Sequence, residues 1–286
     1  MAEILKGAQV VAALNEKLIQ KVAVLKEKGV TPTLAIVRVG ERSDDVAYEN
    51  GAMKRCEKIG VKAKQITLPG DVSQDELLAM ICELNGDPQI HGVLLFRPLP
   101  KYMDEALVCN TLAPEKDVDG ITNASNAGIL TGTAIGYPPC TPQACMEILD
   151  YYGIGTTGKK AVVIGRSLVV GKPAAMMLVQ RNATVTICHT RTVDMPAVCR
   201  EADILIVAAG RAEIVGKDYF REDQIVIDVG INVDEDGKLC GDVNFAEAEP
   251  IVRAITPVPG GVGTVTTSVL VKHVVEAAEK TANRKG

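Results

Sequence analysis

The chain has 286 residues and a formal net charge of −5, with 31 Lys plus Arg against 36 Asp plus Glu. That balance, with no basic cluster, argues against a nucleic-acid partner, and no apolar run approaches the roughly 20 residues of a membrane span. The eight cysteines form no CxxC pair and the three histidines no ligand spacing, so free thiols in a reducing cytoplasm are expected and a metal is not.

Residues 7–28 place Leu14, Leu18, Val22 and Leu25 on one helical face, and Gly29 stops the pattern. Leu34–Val39 reads as a strand ending at Gly40. Ser43 or Asp44 caps a helix from about 45 to 59, which Gly60 closes. A strand over 63–68, a helix from the Ser73/Glu76 capping-box pair to about 85 and a strand over 90–96 complete a βαβαβ unit. A short helix near 103–112 and the loop PEKDVDG, 114–120, follow. The segment 122–142 is rich in Gly, Thr, Asn and Pro, so a domain boundary is placed there, ahead of a helix from Thr141 to about Tyr151.

The second half repeats the alternation, with strands over 161–164, 183–188, 203–208 and 225–229 and helices over 172–181 and 194–200. A turn over 234–237, a short crossing segment opened by Gly241-Asp242, a Pro/Gly loop over 256–263 and a helix over 266–281 close the chain. The fold class expected is α/β, an N-terminal βαβ unit plus a second α/β unit with a cleft between them.

The richest stretch is Lys159–Pro173, KKAVVIGRSLVVGKP. A buried strand breaks into Gly165-Arg166-Ser167, and Gly171 and Pro173 open a helix. Such a turn brings backbone N–H groups and a helix N-terminus to a pyrophosphate, although the spacing is not GxGxxG and a ligand-free turn reads equally well. The next strand ends in His189-Thr190-Arg191, with no carboxylate for a ribose 2′-OH. Arg166, Thr190 and Arg191 instead suit a 2′-phosphate, which favours NADP over NAD; a solvated loop arginine is the plainer alternative. Tyr48 has residue 52 one turn on, on the same face. Asp117 and Asp119 sit in a loop at the domain boundary, where each read alone is a solvated acid. Asp228 and Asp242 read the same way. PVPGG, 257–261, has the fixed φ and exposed backbone that line a flat heterocycle, or a structural turn.

In this order and spacing, PEKDVDG, PPCTP (138–142), GRSLVVGKP (165–173), GDVNF (241–245) and PVPGGVG (257–263) resemble the bifunctional methylenetetrahydrofolate dehydrogenase/methenyltetrahydrofolate cyclohydrolase family. The resemblance covers essentially the whole chain. It implies a folate-binding catalytic domain, 1–139 with 266–286, and a Rossmann-like NAD(P)-binding domain, 140–265. It further implies a homodimer in cytoplasmic one-carbon metabolism and purine biosynthesis. Carried over by motif, Gly165, Arg166 and Ser167 form the cofactor turn, Thr190 meets the 2′-phosphate and Ile231 lines the cofactor site. Tyr48 packs beside the reacting one-carbon unit, Asp119 holds the pterin, and Pro259 and Gly260 belong to the substrate site.

Two departures bear on the chemistry. The family has a lysine acid/base four residues after its tyrosine, and here that position is Ala52. The glutamine that tunes the lysine is Phe96. Lys54 should face elsewhere on the helix, and Arg97 should point away from Phe96 and makes a poor base. Thr264-Val265 for Pro-Met and Ala144 for Gly are smaller changes. The function expected is NAD(P)-dependent oxidation of 5,10-methylenetetrahydrofolate with weak or absent cyclohydrolase, which leaves room for a separate cyclohydrolase as partner. A fully bifunctional enzyme and a catalytically silent NAD(P)/folate-binding regulator are the alternatives.

Overall fold

Two parallel sheets organise the chain in the computed structural model, which describes residues 1–234 and 236–284. The first elements are β1 (Glu3–Ile4), α1 (Gly7–Glu27), β2 (Thr33–Val39), α2 (Ser43–Ile59), β3 (Lys62–Leu68) and α3 (Gln74–Gly86). Next come β4 (Gly92–Leu95), α4 (Glu105–Thr111), α5 (Asn123–Thr131), α6 (Cys140–Tyr151), β5 (Lys160–Ile164), α7 (Gly171–Gln180) and β6 (Thr184–Cys188). The chain continues through α8 (Met195–Arg200), β7 (Ile204–Val207), β8 (Ile225–Asp228), β9 (Asn232–Val233), β10 (Leu239–Cys240), α9 (Phe245–Ala248), β11 (Ala254–Ile255) and α10 (Val262–Arg284). The turn expected over 234–237 includes Glu235, which lies outside the described residues, as do the last two residues of the 266–286 span.

One compact unit comprises Ala13–Cys140 and the chain from Thr267 onward; the other comprises Met1–Ala12 and Thr141–Thr266. The first twelve residues therefore depart from the expected division. Their edge strand decides this: β1 pairs in parallel with β11, Glu3 opposite Ala254, and Gly7 N–H donates to the Gly260 carbonyl at 2.8 Å.

In the first unit the sheet order is β3-β2-β4, all parallel. Central β2 is buried on both faces, while edge strand β3 alternates toward solvent. Ala35 and Val37 pack with Leu77, Ile81 and Leu84 of α3. On the opposite face Gly92 of β4 lets Val118 and Val274 close in; a Cβ there would sit 2.6 Å from Val118. The Ser73/Glu76 capping box forms as read, and Gly60 closes α2 at φ 88°. The start of α2 differs: its N-cap is Arg42, with no side-chain bond, and Ser43 is already helical.

The Gly/Thr/Asn/Pro segment holds a helix that its composition hid. Thr122 caps α5 by accepting from Ser125 N–H at 3.0 Å. Asp117 is not a solvated acid but fully buried, and its carboxylate accepts from Ile121 N–H at 2.9 Å, Thr122 N–H at 2.8 Å and Ser125 Oγ at 2.6 Å.

The second unit carries a six-stranded parallel sheet in the order β1-β11-β8-β7-β5-β6. After β5 the chain goes to β6 on one side, then returns to β7 on the other. That reversal makes the C-terminal end of β5 the topological switch point, where open α/β sheets bind ligands. No described helix is long and apolar enough to cross a membrane.

Replacing Ser73 by Ala should lower stability by about 1 kcal/mol, because the Glu76 N–H loses its acceptor and the Glu76 carboxylate loses the hydroxyl donor. Urea unfolding should show a lower midpoint at unchanged slope; an unmoved midpoint would remove the cap from the account of α3.

Candidate active site

At the switch point β5 ends in Gly165, whose φ of 121° and approach to the Ala208 carbonyl leave no room for a Cβ. Gly165 N–H donates to Cys188 O at 2.9 Å, tying the turn to β6. The chain then folds back so that Gly171, first residue of α7, lies against the Gly165 carbonyl, again with no space for a side chain. Ser167 Oγ accepts from Val170 N–H at 3.1 Å. Pro173 is the third helical residue rather than the first, still within the turn where an N–H has no intrahelical partner.

These elements border a cavity of about 310 Å³, lined by Gly165, Arg166, Ser167 and Thr190 as the sequence indicated. His189, Met195, Arg211, Ile214 and Tyr219 join them without having been singled out. Arg191 is exposed and outside that lining; its N–H donates to His189 Nδ1 at 3.1 Å. A second cavity of about 160 Å³ brings Ile231 together with Pro259 and Gly260. Ile231 is 65% exposed, an apolar side chain available to a flat ring.

Both cavities rest on two buried acids that looked solvated in the sequence. Asp228 ends β8 and Asp242 follows β10, and their carboxylates accept from loop amides rather than from water. Burial pushes Asp228 up to about 6, against the lowering effect of its three backbone hydrogen bonds.

In the other unit Tyr48 of α2 meets Phe96 edge-on, with ring centroids 5.9 Å apart at 83°. Ala52, one turn along, is fully buried, whereas Lys54 is exposed, as its helical position requires. On the same helix the buried Glu49 pairs with Arg38 of β2, Oε2 to Nε at 2.9 Å.

Asp119 is half-buried, and desolvation of its carboxyl group raises its pKa to about 6 in spite of hydrogen bonds from Cys140. Two contacts set this corner. Gly120, at φ 67°, packs against the Pro138-Pro139 backbone, which delivers Cys140 to Asp119. His273 of α10 holds the Val118 carbonyl through Nδ1 at 2.8 Å, and its burial lowers its pKa to about 3, so the ring is neutral. Arg97, expected to point away from the site, lies within electrostatic reach of Asp119 and Cys109 and lowers the pKa of each. Cys140 was legible only as part of PPCTP; nothing in the sequence marked its thiol.

A glycine cradle at the switch point of one parallel sheet, with a second α/β unit bearing a desolvated carboxyl at Asp119, defines a two-domain α/β enzyme of the dinucleotide-binding class. Family models agree: the tetrahydrofolate dehydrogenase/cyclohydrolase catalytic domain matches residues 5–119, and the NAD(P)-binding domain of the same family matches 139–282. The chain is 54% identical over 281 residues to the bifunctional protein FolD of Carboxydothermus hydrogenoformans, covering 98% of each. It is 51% identical over 277 residues to that of Alkaliphilus oremlandii, covering 97% of each. Among solved structures, the bifunctional FolD of Campylobacter jejuni superposes with a TM-score of 0.95 at 39% identity, over 98% of this chain and 99% of that one. The Trypanosoma brucei FolD, complexed with NADP and inhibitor, gives 0.90 at 32% identity over 98% of both. This chain belongs to the tetrahydrofolate dehydrogenase/cyclohydrolase family.

Two outcomes are expected. Gly171→Ala should weaken NADPH binding about tenfold or more, seen by nucleotide fluorescence, because backbone must move to admit the methyl; wild-type affinity would show that the turn tolerates a side chain. Asp119 should titrate near 6 by carboxyl NMR. Because that value lies above the unfolded one, the folded chain keeps a proton the unfolded chain gives up, and stability should fall as pH rises from about 4 to 6. Asp119→Asn should lose that part of the slope.

Proposed function

We propose that this chain oxidises 5,10-methylenetetrahydrofolate to 5,10-methenyltetrahydrofolate with NAD(P)+, preferring NADP+, and hydrolyses the methenyl product weakly or not at all. One contrast carries the reading. The cofactor turn keeps its close backbone approaches, while fully buried Ala52 offers a methyl where the family has its acid/base lysine. The lysine's tuning glutamine is likewise replaced, by Phe96 with its ring against Tyr48.

The cradle suits a pyrophosphate: Gly165, Ser167 and the start of α7 would hold it, with Thr190, Arg166 and Arg191 toward a 2′-phosphate and Ile231 against the flat ring. When bound, NAD(P)+ supplies the hydride acceptor. Asp119 accepts N–H donors of the pterin, Tyr48 packs beside the one-carbon unit, and Pro259 and Gly260 complete the substrate wall. The methylene C–H bond breaks with its electron pair, and the adjacent nitrogen lone pair forms the new C=N bond. No protein base has to take a proton, so alignment is the main requirement. Hydrolysis differs: water must attack the methenyl carbon and protons must move, and the side chains of Ala52 and Phe96 accept none.

Eight free cysteines accord with cytoplasmic one-carbon metabolism, where a separate cyclohydrolase would consume the product on the way to purine biosynthesis. The exposed Val233 and Leu239 on β9 and β10 accord with a homodimer.

The test follows NAD(P)H and methenyl-tetrahydrofolate together with each cofactor. Methenyl product should accumulate in step with NADPH. Hydrolysis well above the buffer rate would instead assign the bifunctional reading, which the names of the relatives favour. No NAD(P)H formation would assign a silent binder. Ala52→Lys alone should destabilise the chain, because it buries an ammonium without a partner. The pair Ala52→Lys, Phe96→Gln should recover stability and gain hydrolysis at least about tenfold over either single variant; a pair no better than the singles would exclude these positions as the cause.

A further inference from the structure

Asp242 is fully buried, and its carboxylate accepts four hydrogen bonds, all from N–H groups of other segments. Oδ2 takes Ala209 N–H at 2.6 Å and Gly210 N–H at 2.9 Å. Oδ1 takes Arg211 N–H at 2.9 Å and Asn232 Nδ2 at 2.9 Å. Three consecutive amides after β7 thus converge on one side chain. Ala209 and Arg211 line the 310 Å³ cavity, so the carboxylate lies behind its wall rather than in it.

Asp242 is itself held. Its N–H donates to Asp228 Oδ1 at 3.1 Å, beside Gly230 N–H at 2.9 Å, while Val243 N–H donates to Asp228 Oδ2 at 3.0 Å. Gly230, which lines the second cavity with Ile231, lies so close to the Asp242 carboxyl that a Cβ would overlap it. Gly241 is pressed against Asp228 in the same way. The backbone adds Val215 N–H to Asp242 O and Glu213 N–H to Gly241 O, both at 3.0 Å. Segment 241–243 therefore fixes 209–215 on one side and 230–232 on the other.

We propose that Asp242, anchored by Asp228, is the positioning residue of the cofactor site, setting in one piece the 209–211 wall of the larger cavity and the 230–231 edge of the smaller. The inference rests on reading these two cavities as the NAD(P) site. A carboxylate is the chemistry this position needs, since it is the side chain that accepts four donors and donates none. An amide of the same shape turns two donors toward N–H groups and mispairs them. Asp242 touches neither cofactor nor substrate, so its effect should fall on cofactor affinity rather than on the chemical step.

The experiment measures NADPH affinity by nucleotide fluorescence, with KM for NADP+ and for the folate, in the wild-type chain and in Asp242→Asn. Expected is a rise of at least about tenfold in NADPH Kd and NADP+ KM, with folate KM within about twofold. A merely structural acid would lower Tm and the active fraction while leaving both KM values unmoved, and that result overturns the proposal. Wild-type protein that binds no NADPH would instead overturn the cofactor reading itself. Should Asp242→Asn fail to fold, hydrogen exchange on the wild-type chain decides. The Ala209, Gly210 and Arg211 amides should exchange at least about a hundredfold more slowly than unprotected amides without cofactor present. Fast exchange that slows only on adding NADPH would mean that the cofactor, not Asp242, sets the wall.

Discussion

Functional loops at the ends of parallel strands face one constraint throughout this chain: their amides leave the sheet ladder and still need acceptors. Buried carboxylates meet that need. Asp117 gathers the amides that open α5, Asp242 gathers those after β7, and Asp228 gathers those of Gly230, Asp242 and Val243. A carboxylate is suited to this because each oxygen accepts two donors and charge-assisted bonds are the stronger kind. Fixed loops in turn give fixed cavity walls. The glycines at 165, 171, 230 and 241 belong to the same design, since each stands where another group occupies the space of a Cβ.

In the catalytic unit Tyr48 meets Phe96 edge-on, and Ala52 is fully buried one turn along α2. A buried ion pair on α2, Glu49 with Arg38, joins helix to strand. Polar groups gather at Asp119, where Cys140 donates to the carboxyl, Arg97 lends positive potential and His273 braces the neighbouring carbonyl.

Much of this was legible in one dimension, for stated reasons. Continuous apolar runs and the 3.6-residue period marked the strands and long helices, because burial on both faces imposes the first and burial on one face the second. The capping box at Ser73 and the C-cap at Gly60 are local bonds, so local sequence specifies them. The glycine turn showed itself as a break between an apolar strand and a helix. Helix α5 did not, because Asp117, five residues before Thr122, supplies acceptors that composition alone cannot reveal.

The sequence by itself determined the α/β class, the place of the glycine turn after β5 and, through ordered motifs, the family. Tertiary structure decided what depends on distant partners. It put β1 on the edge beside β11 and turned Asp117, Asp228 and Asp242 from apparent surface acids into buried acceptors. It also set Cys140 and Arg97 around Asp119, and left Arg191 outside the cavity that Thr190 lines. Whether an acid is solvated or buried depends on which amides the fold brings to it, and those amides lie anywhere from two to more than thirty residues away along the chain.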